Sequence, residues 1–524
     1  METTATPITR RRLLEAGFAT AAAGALMRSP TSVLAATRSP RSARNGAVGW
    51  KIDPHEFPSA DLLKTWQRQL DGLGLRATGT RVHERYIDTL HERLQRAGVE
   101  HVHFEPVPFK RWTTNDWKLE VVGGSSAGPV KTASYIPYTG HTSTAGVSGT
   151  LVVVDPNKPP GPGSLRGKIA IFDIPNVVLP WSYFLAIGYS GKSYDPQGIF
   201  SDPNGVYSRS WLGIGDIVEL LEQAGRAEAR GVIGVLDLPA DAAHGAYYPY
   251  DGTIREVPGV YVDRKVGARL KQLARSGSRA RLTVPSKIVK TKSRNLVGVI
   301  PGASRELMIF HSHTDGPNGI EDNGPDSIVA ACHYLTRRRR ANLPRTILVL
   351  LTTGHFIGGR GVQSFVNRHQ DDLIRRAAAA VTLEHLGAEE WNPGPDGRSH
   401  LTGNHEPGTF FTPESSVLVN KSFRALERAK DAPSSVLRPY VPAPGSPDGH
   451  GWPAEGTGLW TQGALPTSNY ITGPTYLLNW GIPTIDKYNA GLARRETIAF
   501  TELLLRLARV PRSRLRRMDL LPPS

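Results

Sequence analysis

Three features of the sequence predict an α/β fold, built on a largely parallel mixed sheet flanked by helices. Strand-length apolar runs alternate with helix-period segments from 295 to 387. The runs at 307–310 (LMIF), 345–351 (RTILVLL) and 379–387 (AAVTLEHLG) have the continuous apolar character of strands covered on both faces. Each of them ends in polar or ionisable residues, which is where open α/β sheets place their chemistry. Between 131 and 288 the texture shifts to short strands separated by Gly and Pro, so a β-rich domain is expected to be inserted into the α/β unit.

At 524 residues the chain exceeds one ordinary core, and two or three domains are expected. Residues 1–36 have the form of a targeting segment. Arg10, Arg11 and Arg12 precede the apolar stretch 16–27, and Val33-Leu34-Ala35 offers a small-residue cleavage site. The pattern resembles a twin-arginine signal and implies export to a periplasmic, extracellular or envelope-associated location. The stretch is too short and alanine-rich for a good membrane span. Residues 37–55 read as a linker.

The first part of the main domain spans 56–130. A helix opening at Ser59 carries Leu62, Leu63, Trp66 and Leu70 on its apolar face. A second follows Gly79-Thr80, with Val82, Tyr86, Ile87, Leu90 and Leu94 at helical spacing and a stop at Gly98. His83 and His91 in that helix are expected at the surface. An alternating strand at 99–109 puts His101 and His103 on its polar side.

In the insert (131–288), strands are expected at 149–154, 166–172, 231–235 and 257–262, with a helix at 218–230. Residues 176–215 are rich in Trp181, Tyr183, Phe184, Tyr189, Phe200, Tyr207 and Trp211. Such aromatics either line a cleft or form a small core of their own loop. The main domain resumes at 289–511. After the runs named above come a polar loop at 388–413 with Glu389, Glu390, His400 and His405, and a helix at 415–430. A Pro/Gly-rich stretch at 433–480 holds short strands and His450, and a closing helix spans 494–509. Residues 512–524 form a basic tail.

The formal net charge of +16 is partly local, at Arg337–Arg340 and in the carboxyl-terminal arginines. Cations at a helix end complement its dipole, and a basic tail fits peripheral contact with an anionic cell envelope. Aromatics do not interleave with the basic runs, so nucleic acid is not an expected partner. The sequence shows no signal for a stable protein partner. The single cysteine, Cys332, sits in a helical pattern as a small apolar residue, and no intrachain disulfide is available.

The most informative stretch is 307–335 (LMIFHSHTDGPNGIEDNGPDSIVAACHYL). His311, His313 and Asp315 recur at a spacing of two after a buried strand, which in extended backbone puts them on one face. A Gly/Pro/Asn loop and Glu321-Asp322-Asn323 follow, then a helix. Imidazoles and carboxylates converging at a strand end are zinc-type ligands.

His313-Thr314-Asp315 followed by Asp322-Asn323 resembles the H-x-D and D-N motifs of the zinc aminopeptidase and glutamate carboxypeptidase family, the co-catalytic exopeptidases. The segment LGLRATGT and the helix after it resemble the start of the same family, and 131–288 resembles a protease-associated domain, expected to wall or cover the site. The resemblance implies that His313 binds one metal, Asp322 bridges two, and Asp315 orients His313. It then departs from the family. Where the family has Gly-Glu-Glu, this chain has Gly354-His355-Phe356, so His355 stands at the general-base position and Phe356 at a ligand position. Glu384 matches the ligand ending the next strand. The last family ligand, seven residues before Gly481-Ile482-Pro483, falls on Pro474.

The resemblance therefore implies one divalent ion, zinc, on His313, Asp322 and Glu384, with His355 and Asp315 as catalytic residues and His311, Glu321 and His385 as additional candidates. It implies a metal-dependent hydrolase of an amide, peptide-like or other polar substrate. Two alternatives stay open: an inactive relative that binds a peptide or glycan, and an enzyme using His355 and nearby acids without metal.

Overall fold

The computed structural model describes residues 52–155 and 158–520. The expected targeting segment, and the linker as far as residue 51, lie outside the described residues. Among those described, the chain builds a nine-stranded and an eight-stranded sheet.

Helix α1 (Ala60–Asp71) is capped by Ser59, whose hydroxyl accepts from the Leu62 amide, and buries Leu63, Trp66 and Leu70. Leu62, expected on the buried face, is exposed. Helix α2 (Arg81–Arg96) is capped by Thr80 and buries Tyr86, Ile87, Leu90 and Leu94. It also buries His83, contrary to the surface position expected, because that ring reaches back to the strand-end motif.

The nine strands, in chain order, are β1 (Glu100–Thr113), β2 (Gly188–Tyr194), β3 (Lys287–Ile300), β4 (Leu307–His313), β5 (Thr346–Thr352), β6 (Ala377–Leu383), β7 (Gly408–Phe411), β8 (Ser434–Leu437) and β9 (Thr467–Thr472). Their spatial order is β1-β3-β5-β4-β6-β9-β7-β8-β2. The central β5-β4-β6-β9 pairs are parallel, and the outer pairs are antiparallel apart from β7-β8. Helices α3 (Gly324–Leu335), α4 (Arg360–His369), α5 (Ser416–Ala429) and α6 (Ala490–Leu507) belong to the same unit. The mixed, centrally parallel sheet is the one expected. The region 388–413, expected to be loop, contributes β7, whose four residues are too few for any periodicity to register.

Chain order reverses at β4, which has β5 on one side and β6 on the other. The crevice at the carboxyl ends of these three strands is the topological switch point. Gly324 begins α3 so close to β6 that an added Cβ would lie 2.0 Å from the Leu383 carbonyl oxygen. Only glycine lets the helix start there.

The second sheet runs from Lys118 to Thr283 and has its own buried core, including Ile169, Ile171, Ile233, Val260 and Leu282. An arm of this region, 177–213, leaves it and crosses to the first unit. Its strand β2 pairs antiparallel with β8 at the edge of the large sheet. Trp181, Phe184, Phe200 and Tyr207 of the arm pack with Phe411, Leu437, Trp452 and Trp460 of the main unit. The aromatic stretch therefore does both things weighed for it, because one face makes this shared core and another faces a cleft.

Candidate metal and catalytic site

The three central strands deliver their last residues to one point. His313 ends β4, His355 follows β5 after a tight turn, and Glu384 and His385 follow β6. Glu321 comes from the loop between β4 and α3. His313 Nε2 lies 3.4 Å from Glu384 Oε2 and 3.7 Å from Glu321 Oε1. Glu321 Oε1 is also 3.7 Å from His385 Nε2 and 3.9 Å from His355 Nε2. Two ligand sets share His313: one with Glu384 and His385, one with Glu321 and His355, each with its donor atoms within 4.8 Å of one another.

The tautomers are set from behind. His313 Nδ1 donates to the Asp315 backbone carbonyl at 2.9 Å, and His385 Nδ1 donates to the Thr472 carbonyl at 2.7 Å. Both rings therefore turn Nε2 into the crevice, and neither Nε2 has a hydrogen-bond partner. Glu321 Oε2 is likewise buried without one. Buried polar atoms left unpartnered are costly, and imidazoles anchored through Nδ1–H to a carbonyl are the usual posture of metal-ligating histidine. The residues fit a divalent cation.

Backbone strain supports this posture. His385 adopts φ of 58°, a left-handed conformation rare for a non-glycine residue. It is held on both sides of the peptide, since Thr472 Oγ1 donates to the His385 carbonyl at 2.8 Å.

The electrostatics agree. Burial works against an imidazolium at His313, but Glu321 and Glu384 outweigh it and push its pKa up to about 9. Burial also opposes the Glu384 carboxylate, yet the His313 imidazole 3.4 Å away brings it down to about 2. Burial, reinforced by the nearby acids, holds the Glu321 carboxyl well above the usual range. His385 is pushed down to about 4 by burial and stays neutral. Such a pocket calls for one positive charge, carried by a proton or an ion.

His355 lies at the cleft, with 11% of its side chain exposed. Its ring stacks on His313 at 4.3 Å between centroids. Its Nδ1 contacts Glu455 Oε2 at 2.7 Å. Burial lowers its pKa, but the hydrogen bond and charge of Glu455 win and raise it.

Several expected positions come out differently. Asp322 does not face the cluster. Both its oxygens receive the Arg76 guanidinium, Nε and Nη2 each at 2.6 Å, with both side chains at 0% exposure. Its neighbour Glu321 turns to the crevice instead. Gly316 makes the room, since a Cβ there would lie 2.2 Å from Glu321 Oε2. The Asp315 carboxylate does not orient His313; its backbone carbonyl does. The carboxylate accepts the His355 and Phe356 amides, each at 3.1 Å, and so fixes the turn after β5. His311 lies one layer below the cluster, with Nδ1 3.0 Å from Thr382 Oγ1 and Nε2 3.1 Å from Thr352 Oγ1. Both ring nitrogens are spent, so it cannot swing in as a ligand. Phe356 is buried against Tyr247 and Tyr250. Pro474 is held by the arm, its carbonyl accepting from Trp211 Nε1 at 3.0 Å.

Sequence reasoning missed Glu455, Arg76 and the buried His83, whose Nδ1 accepts from the Gly79 amide and whose Nε2 then donates to Thr314 at 2.9 Å. Glu455 lies in a Pro/Gly-rich stretch without periodicity and meets the site only through the fold.

Beside the cluster a cleft opens, lined by Leu179, Tyr183, Phe184, Trp211, Phe411 and Leu437 among others, with Glu321, His355, Glu384 and His385 at one end. Apart from those four, its lining side chains carry no charge.

No protein-family model and no curated protein sequence matches this chain. Solved structures do. A peptidase M28 precursor from Shewanella amazonensis superposes with a TM-score of 0.60 at 16% identity, covering 89% of this chain and 100% of the other. A zinc aminopeptidase from Bacillus subtilis gives 0.59 at 13% identity, over 85% and 94%. An aminopeptidase from Aneurinibacillus sp. strain AM-1 gives 0.55 at 14%, over 90% and 99%. The fold is that of the zinc exopeptidases. At these identities the likeness extends to the exopeptidase-like fold and no further, so the chemistry rests on the cluster itself.

Proposed function

We propose that this chain is a metal-dependent hydrolase of amide or peptide-like substrates, holding a single zinc ion on His313, Glu384 and His385. The observation that carries the reading is the pair of bare, buried Nε2 atoms of His313 and His385, each anchored through Nδ1, beside two buried carboxylates. One histidine and two carboxylates had been expected; two histidines and one carboxylate fit the geometry better, because Asp322 is spent on Arg76. Bound there, zinc supplies Lewis-acid polarisation of a carbonyl and a more acidic water.

The chain's own residues do the rest. Asn469 donates to Glu384 Oε1 at 2.7 Å and holds that carboxylate towards His313. Glu321, whose carboxyl burial pushes well above the usual carboxylate range, takes or returns a proton at Oε2. His355 offers Nε2 for a second proton transfer at the mouth of the cleft. The apolar walls exclude water and seat an uncharged group next to the bond that breaks.

The second sheet and its arm serve as a wall of this cleft, in the manner of a protease-associated insert. Export by the twin-arginine route completes the proposal, and would deliver a folded, loaded enzyme to the envelope or beyond.

Metal analysis of the purified protein is the deciding experiment. About one equivalent of zinc is expected, retained through gel filtration and lost in His385→Ala and His313→Ala, with hydrolysis of aminoacyl and peptidyl p-nitroanilides lost in parallel. A correctly folded protein that retains no divalent ion at any supplied concentration ends the reading.

A further inference from the structure

We infer that Glu455 is the positioning residue of a His355–Glu455 pair: its carboxylate selects the His355 tautomer whose Nε2 faces the cleft. The inference rests on the proposed hydrolase reading for its purpose, but its geometry stands apart from any ion.

Glu455 is buried, and the carboxylate is spent on two donors. His355 Nδ1 meets Oε2 at 2.7 Å, and Thr352 Oγ1 donates to Oε1 at 2.6 Å. Because a carboxylate only accepts, the proton on the His355 ring sits on Nδ1 and the lone pair on Nε2. That Nε2 points towards Glu321 Oε1 at 3.9 Å, at the charged end of the apolar cleft.

The second donor is itself oriented. Thr352 gives its hydroxyl proton to Glu455, so its oxygen accepts from His311 Nε2 at 3.1 Å, while His311 Nδ1 accepts from Thr382 at 3.0 Å. A buried hydrogen-bonded row (Thr382, His311, Thr352, Glu455, His355) thus runs beneath the cluster and ends in one free ring nitrogen.

Two other buried carboxylates make the contrast. Asp322 takes Nε and Nη2 of Arg76, Glu406 takes Nη2 of Arg209 on both oxygens, and each is satisfied as a structural ion pair. Glu455 instead has the His355 imidazole at the cleft as its hydrogen-bond partner. A proton-transferring base, held by a third group that sets its tautomer, is the arrangement that nucleophile-activating triads use.

The test uses full-length protein carrying ¹⁵N-labelled histidine, with the His355 signal assigned from His355→Gln. The expected result in the wild type is a single Nδ1–H tautomer with an unprotonated Nε2. In Glu455→Gln and Glu455→Ala that population should split between tautomers. For leucine p-nitroanilide as probe, kcat should fall about 10²-fold in Glu455→Gln with KM changed less than about twofold, and Glu455→Asp should recover part of it. Retention of one Nδ1–H tautomer in both folded variants overturns the inference. So does a loss of activity that merely tracks the loss of folded protein or of bound metal. If the protein turns over no probe at all, the tautomer measurement still decides, and it is the hydrolase reading that fails.

Discussion

Glu321 and Asp322 are adjacent in sequence, equally buried, and opposite in fate. Asp322 receives two guanidinium hydrogen bonds from Arg76 and keeps no unmet demand. Glu321 faces three imidazoles at 3.7 to 3.9 Å, none within hydrogen-bond distance, and keeps one oxygen bare. A cation built into the chain completes one carboxylate, whereas the other sits in a cluster built to receive a cation from outside. Burial alone does not distinguish a ligand from a structural acid; the inventory of donors around each oxygen does.

The comparison breaks most visibly at Arg76. Arg76→Met leaves Asp322 charged, buried and alone, and should cost about 3–5 kcal/mol in urea unfolding. Arg76→Met combined with Asp322→Leu should recover most of that loss. A single-variant cost below about 1 kcal/mol would mean that the pair is not what holds the loop.

Glu321 should behave the other way round. Glu321→Gln replaces a carboxyl that burial already disfavours as an anion, so stability should stay within about 1 kcal/mol or rise. Activity should fall about 10²-fold if Glu321 handles the proton. Equal destabilisation of Glu321→Gln and Arg76→Met would erase the distinction between the two acids.

A third buried acid site sharpens it further. Tyr470 lies 2.8 Å from Asp431 Oδ2 and 2.7 Å from Glu496 Oε1, yet its hydroxyl has one proton to give. The second contact requires a protonated carboxyl. Burial raises both acids, and the charge of Asp431 raises Glu496 further. A carboxyl with its folded pKa raised contributes stability that is fully present below its unfolded pKa of about 4 and is lost as pH rises through the folded value. Unfolding free energy should therefore decline from roughly pH 5 upward, by at most about 1.4 kcal/mol per pH unit for each retained proton. Glu496→Gln should flatten that slope in urea titrations at successive pH values.

The central strands were legible because runs such as RTILVLL announce burial on both sides, and the crevice was legible because His313, His355 and Glu384 end such runs. Within the crevice, legibility stopped at the turn. Whether Glu321 or Asp322 faces inward depends on Gly316 and on an arginine some 240 residues upstream, neither of which a local spacing encodes. His385 sits beside Glu384 and in extended backbone would point away from it; a left-handed φ brings it round. Glu455 arrives from a segment with no period at all.

The pairing of β2 with β8 has a practical corollary for anyone trimming this molecule. Excising 131–288 to obtain a minimal core would remove β2 and uncover β8, a strand whose four residues are all interior, leaving a row of amides and carbonyls ready to recruit a neighbouring chain. Such a truncated product should stick to itself before it reports anything about catalysis.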